Sequence, residues 1–166
     1  MSLNEITYAL MAPMKKEDLI KYILLASLLA GSSTLYAQVL QPVKWSYAAK
    51  KTRNDDAVVF LKTEIEDGWH IYSTRQKDDG PVKTSFTFKP LTGYSLQGKI
   101  SEPMPVTKYE PSFAMNVHYF ERSAIFQQKI KLKQTQVEVK GQLKFMVCND
   151  QKCLPPEDLD FNILVK

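Results

Sequence analysis

In the stretch AIFQQKIKLK, Phe126, Ile130 and Leu132 share one parity, while Gln127, Lys129, Lys131 and Lys133 share the other. Successive side chains of an extended strand point to opposite faces, so this is the pattern of a half-buried antiparallel strand with one dry face. GQLKFMVC repeats it, with Leu143, Phe145 and Val147 on one side and Gln142, Lys144 and Met146 on the other. Similar short runs stand at VKWSYAA, AVVFLKTEIE, WHIYS, TSFTFKP, YSLQGKI and DFNILVK. Between them lie turn formers such as Asn54-Asp55-Asp56, Asp67-Gly68, Asp78-Asp79-Gly80-Pro81, Thr92-Gly93 and Glu102-Pro103-Met104-Pro105. Beyond residue 38 no stretch keeps a helical period for three turns. Seven or eight short strands with turn signals roughly every 8 to 12 residues predict an all-β, two-sheet sandwich with immunoglobulin-like connectivity. A chain of 166 residues, 44% of them hydrophobic, can bury one core, and no repeat or linker suggests a second domain.

The amino terminus is of another kind. From Met14, MKKEDLIKYILLASLLAGSSTLYAQ places Lys15 and Lys16 ahead of an apolar run from Tyr22 to Ala30, then small polar residues up to Ala37. This is the build of a secretory signal, although Leu35 stands where a small residue is usual. A start assigned too far upstream would account for residues 1–13. The apolar run falls short of the roughly 20 residues that span a bilayer, so export is expected, and a tether by an uncleaved signal stays open. Residues 1–37 are therefore set apart, and 38–166 form the folded domain, expected to be a monomer. The net charge is +4, with lysines scattered along outward strand positions and no interleaved aromatic platform, which argues against nucleic-acid binding. Outside the cytosol a disulfide can persist.

Both cysteines lie in CNDQKCLPP, Cys148 to Pro156. Cys148 ends a strand, Asn149 and Asp150 favour a tight turn, and Pro155-Pro156 keep the exit out of a central ladder. The expectation is a local, rigid, exposed dithiol at one end of the sandwich, open to three uses. As a staple it would contribute only about 2 kcal/mol, because the loop is short. As a metal clip it would need further ligands, for which the candidates are His70 and His118, with Met115 and Met146 for copper; their spacing does not force them together. As a working dithiol it has a resolving partner within reach and no competing thiol. Lys152 would favour a thiolate at Cys153, and Asp150 would oppose it.

FMVCNDQKCLPPEDLDFNI resembles the active-site strand, loop and exit of the amino-terminal periplasmic domain of the DsbD thiol:disulfide interchange proteins. DGWHIYS resembles the family's short aromatic strand, and EPSFAMNVHYFERSAIF its cap loop followed by a strand. The resemblance implies an immunoglobulin-like domain that takes electrons from a membrane-embedded or thioredoxin-like donor and passes them to periplasmic disulfide oxidoreductases, with no cofactor beyond its cysteines and no metal. By position, Cys153 forms mixed disulfides and Cys148 resolves them. His70 and Tyr72 would approach the dithiol from one face of their strand, with Trp69 and Ile71 on the other, against the plainer reading that Trp69 and Tyr72 only pack the core. Phe113 is the candidate shield over the cysteines. Four residues separate the cysteines where some members have one more, and the cap signature is reduced to Glu110-Pro111-Ser112-Phe113. Without the membrane and thioredoxin-like parts of the long proteins, the expectation is a free shuttle with a separate donor, or a relative with a changed task. The rival reading is a secreted immunoglobulin-like binding module with a structural disulfide.

Overall fold

The computed structural model describes residues 15–18, 20–21, 40–52 and 55–166. The chain divides into two compact units, Met1–Val39 and Leu40–Lys166. The expected export signal lies outside the described residues except at 15–18 and 20–21, of which 16–18 and 20–21 are helical. Among the described residues, no helix is long and apolar enough to cross a membrane.

The second unit is built from antiparallel strands: β1 (Val43–Lys51), β2 (Asp56–Ile65), β3 (His70–Tyr72), β4 (Ser85–Phe88), β5 (Tyr94–Ser101), β6 (Val106–Glu110), β7 (Met115–Glu121), β8 (Ser123–Leu132), β9 (Val137–Phe145), β10 (Val147–Cys148) and β11 (Glu157–Val165). They form three hydrogen-bonded sheets, ordered β1-β2-β8-β5, β11-β9-β4 and β10-β3-β7-β6. The period-two reading holds best in β8 and β9, whose residues alternate between exposed and buried. The main core lies where Val59 and Leu61 of β2 and Phe126 and Ile130 of β8 meet Val139, Leu143 and Phe145 of β9 and Phe161, Ile163 and Val165 of β11. Trp45 packs among Phe86, Phe126 and Phe145, with ring centroids 5.6 to 6.0 Å apart. Gln128 is the polar exception on the dry face of β8; its side-chain amide donates to the carbonyl of Gln97 at 3.2 Å, where β5 loses register at Gly98, φ +67°.

The strand count exceeds the expected seven or eight, and the third sheet is the reason. GQLKFMVC is not one strand: it leaves the β11-β9-β4 sheet at Phe145, bends at Met146, and enters the third sheet as β10. Met146, assigned by alternation to a polar face, is consequently buried, because the bend turns it onto the apolar patch beside Cys148. β7 runs into β8 in the same way through Arg122, φ +60°. Strands that bend at corners pass from one sheet to another and close the ends of a sandwich.

A buried carboxylate fixes the segment after β3. Glu102, whose side chain is 1% exposed, accepts hydrogen bonds from Ser73 Oγ (2.6 Å), Thr74 N (2.9 Å) and Thr74 Oγ1 (2.9 Å), and pairs with Arg75 Nε at 3.0 Å. Gln76 continues the attachment by accepting from the backbone N–H of His118 in β7 at 2.9 Å. The end of β3 is thus held to both β7 and the approach to β6.

Gly141 sits in mid-β9 opposite Phe88 of β4 and Phe161 of β11. A Cβ there would collide with the Phe161 ring and the Thr87 carbonyl. Gly141→Ala should therefore lower stability by about 1–3 kcal/mol, the usual cost of overpacking. Urea unfolding reads this directly, and an unchanged midpoint would mean that β4 yields without loss.

Candidate functional site

Cys148 and Cys153 face each other across a hairpin and are joined by a disulfide, with S–S 2.04 Å and Cα atoms 4.0 Å apart. The hairpin is closed by Asn149 N–H donating to the Lys152 carbonyl and Leu154 N–H to the Val147 carbonyl, each at 2.9 Å. Inside the turn the Asn149 side-chain oxygen accepts from the N–H groups of Gln151 (2.9 Å) and Lys152 (2.8 Å). This is the side-chain capping that makes asparagine a turn former. Pro155 and Pro156 then carry the chain to β11 outside any ladder.

The expectation of an exposed dithiol holds for one sulfur only. Cys153 is exposed, whereas Cys148 is 1% exposed. The difference arises from the outer face of the third sheet. In β10, β3 and β7, Val147, Ile71 and Phe120 align across the strands and enter the main core, so the alternate residues Cys148, His70, Tyr72 and Tyr119 point the other way. There Tyr72, Val117, Tyr119, Met146 and Cys148 make a small apolar cluster, against which Phe113 and Met115 pack. Phe113 reaches it from a 3-10 turn, Pro111–Phe113, at the tip of the β6–β7 hairpin, where Ala114 adopts φ +51° to let the chain reverse.

Between the cysteine hairpin and this tip lies a cleft of about 550 Å³, lined by His70, Tyr72, the β6 end and turn from Lys108 to Phe113, and the loop from Cys148 to Cys153. Lys108 and Asp150 approach to 3.7 Å across it, both well exposed. His70 is the cross-strand partner of Cys148. Its Nε2 lies 3.3 Å from the Tyr72 hydroxyl, and its ring meets that of Tyr119 at 4.8 Å between centroids. Burial holds the His70 imidazole below its ordinary range, against the opposing pull of Glu121, Asp150 and Glu110. Burial, aided by the Glu110 charge, pushes the Tyr72 phenol up to about 12. Both groups are therefore neutral near pH 7.

The sequence matches the family described as thiol:disulfide interchange protein DsbD, N-terminal, over residues 37–164. The chain belongs to the DsbD amino-terminal domain family. Its fold is similar to that of the Neisseria meningitidis DsbD N-terminal domain in the reduced form, with TM-score 0.54 and 21% identity over 75% of this chain and 89% of that one. The N-terminal periplasmic domain of ScsB from Proteus mirabilis gives TM-score 0.54 and 17% identity, covering 75% of this chain and 48% of that one. The DsbD N-terminal domain in its complex with the PilB N-terminal domain, also from Neisseria meningitidis, gives TM-score 0.50 and 18% identity, covering 75% and 87%. No curated protein sequence matches the chain. The architecture is the immunoglobulin-like β-sandwich of the DsbD domains, and the chain carries a thiol–disulfide interchange domain with one cysteine pair.

Within this DsbD-type domain, Cys148, Cys153, His70, Tyr72, Phe113 and Asp150 all border the one cleft. Trp69 and Ile71 pack with the main core, and Tyr72 with the cysteine cluster. The histidines do not meet: His118 belongs to the alternate face of β7 and bonds through Nδ1 to Thr107 Oγ1 at 2.9 Å. Among the described residues, no group of three His, Cys, Asp or Glu side chains could hold a metal. Tyr119, Val117 and Lys108 also line or pack beside the cleft without being marked by strand alternation. The sequence signal for the first two was MNVHYFE, whose Val117 and Tyr119 share a parity.

Because the folded protein holds His70 below its unfolded value, burial of the neutral ring contributes stability above pH 6.5 that is lost as pH falls from 6.5 toward the lower folded value. His70→Phe should flatten that part of the stability–pH curve. Parallel curves from urea unfolding between pH 7 and pH 5 would exclude the effect.

Proposed function

We propose that this domain relays electrons in the periplasm by thiol–disulfide exchange, accepting them from a thioredoxin-like or membrane-embedded donor and delivering them to periplasmic disulfide oxidoreductases. One observation carries the reading: the two sulfurs of a single short hairpin differ sharply in exposure, and the accessible one opens into a cleft. A structural staple needs no such asymmetry. Exchange does, because one sulfur must be met by the partner and the other must wait for the mixed disulfide. The periplasmic setting of the ScsB domain and the PilB complex of the Neisseria domain support the compartment and the kind of partner.

In the delivery direction, the Cys153 thiolate attacks a sulfur of the partner disulfide, forming a mixed disulfide and releasing one partner thiolate. Cys148 then attacks Cys153 Sγ, breaks the mixed bond and releases the second thiolate. The domain leaves with the Cys148–Cys153 disulfide and the partner with two thiols. Phe113, seated on the cluster that holds Cys148, shields the pair until a partner displaces it.

Cys153→Ser should abolish partner reduction while costing only about 2 kcal/mol of stability. Cys148→Ser should trap the mixed disulfide, visible as a mass adduct with the partner. The reduction potential should fall between roughly −270 mV, typical of a thioredoxin donor, and roughly −120 mV, typical of a strong oxidant. A value below about −300 mV would favour a binding module with a structural disulfide instead. Phe113→Ala should keep exchange with protein partners but lose its thiols faster to hydrogen peroxide. Equal oxidation rates in variant and wild type would remove the shielding role.

A further inference from the structure

His70 packs on Tyr72 and Tyr119 on a short strand beside the buried cysteine, with the charges of Glu121, Asp150 and Glu110 acting on it. It is paired across the strands with Cys148 on one side and Glu121 of β7 on the other, and it borders the same cleft as Cys153. An apolar, water-poor surrounding disfavours a thiolate, and Cys148 sits in one, among Tyr72, Val117, Tyr119 and Met146. The resolving attack on Cys153 nevertheless requires that thiolate. Cys148 is 1% exposed and reaches solvent only at the cleft that His70 also lines, so a neighbouring side chain offers the short route for the proton.

We infer that His70 is the proton acceptor for Cys148 in the resolving step, a role that rests on the relay reading. As Cys148 attacks Cys153 Sγ, its thiol proton passes to the imidazole, the Cys148–Cys153 bond forms, and the bond from Cys153 to the partner breaks. The partner leaves as a thiolate, and the imidazolium returns the proton to it or to water through the cleft. No other reactant is needed.

The surroundings suit both states of the ring. The neutral form is favoured at rest by burial, so the ring carries one unprotonated nitrogen near pH 7. Once protonated, the ring faces three carboxylates from three elements: Glu121 on β7, Asp150 in the cysteine loop and Glu110 at the end of β6. Lys108 of β6 opposes them but is drawn to Asp150. The phenols facing it, Tyr72 and Tyr119, are held neutral and compete for no proton below their own raised ranges. Tyr72 lies within 3.3 Å of Nε2 and so fixes the ring's orientation.

The test follows the reduced domain reacting with oxidised glutathione, using rapid quench and mass analysis to separate formation of the Cys153 mixed disulfide from its resolution. His70→Gln and His70→Phe should form the mixed disulfide at the wild-type rate. Both should resolve it about 100-fold more slowly at neutral pH, within the usual contribution of a positioned base. The wild-type resolution rate should rise and level off as the imidazole loses its proton, whereas both variants should rise only in the alkaline range of an unassisted thiol. Superimposable pH profiles, or equal slowing of both steps, would overturn the role and leave His70 as packing. If neither wild type nor Phe113→Ala yields the glutathione adduct or the Cys148–Cys153 disulfide, the relay reading itself fails, an outcome distinct from a change confined to the second step.

Discussion

Backbone hydrogen bonding on both sides of three residues, His70 to Tyr72, is the constraint on which the site depends. β3 is joined to β10 along one edge and to β7 along the other, so the cysteine hairpin and the hairpin that carries Phe113 are fixed in one sheet. Strand parity then sorts the side chains. Ile71 and its neighbours Val147 and Phe120 anchor the sheet in the main core, and that leaves His70, Tyr72, Cys148 and Tyr119 on the opposite face. The residues that stabilise the sheet and those that line the cleft therefore alternate along the same short strands. A one-residue slip would exchange them.

The difference between the two sulfurs follows from that arrangement. A cysteine at the end of a strand takes the environment of the sheet face it shares, and here the face is covered by two tyrosines, a valine and a methionine. Its hairpin partner lies beyond the turn, where no further strand covers it. One turn of four residues therefore separates a dry sulfur from a wet one without any dedicated element.

Much of this was legible from residue alternation. Strands with one wet face, such as β8 and β9, announce themselves because polar side chains, mostly lysine and glutamine, fill most of the outward positions. The same rule separated His70 and Tyr72 from Trp69 and Ile71. β7 carries a weaker signal: Val117 and Tyr119 share a parity, but Phe120 is buried on the other face, so no wet face marks the strand. β6 lacks the pattern for the opposite reason: VTKYE is almost wholly exposed and carries no dry face at all. The bend at Met146 has no local signature, since the apolar spacing runs through it unbroken. The burial of Cys148 depends on side chains from strands distant in sequence, which no reading of the hairpin alone can supply.

β6 is the outermost strand of its sheet and bonds only to β7. The tip that bears Phe113 thus hangs from a two-stranded ribbon whose outer edge is unpaired, and detachment of β6, which contributes no residue to the main core, leaves that core intact. Such local opening has a far smaller free energy than global unfolding. Exposure of the cysteine cleft and melting of the domain are thereby separate equilibria: a variant that weakens the sandwich can lower the melting temperature without changing how often the cleft opens, and amide exchange along β6 would report the second quantity alone.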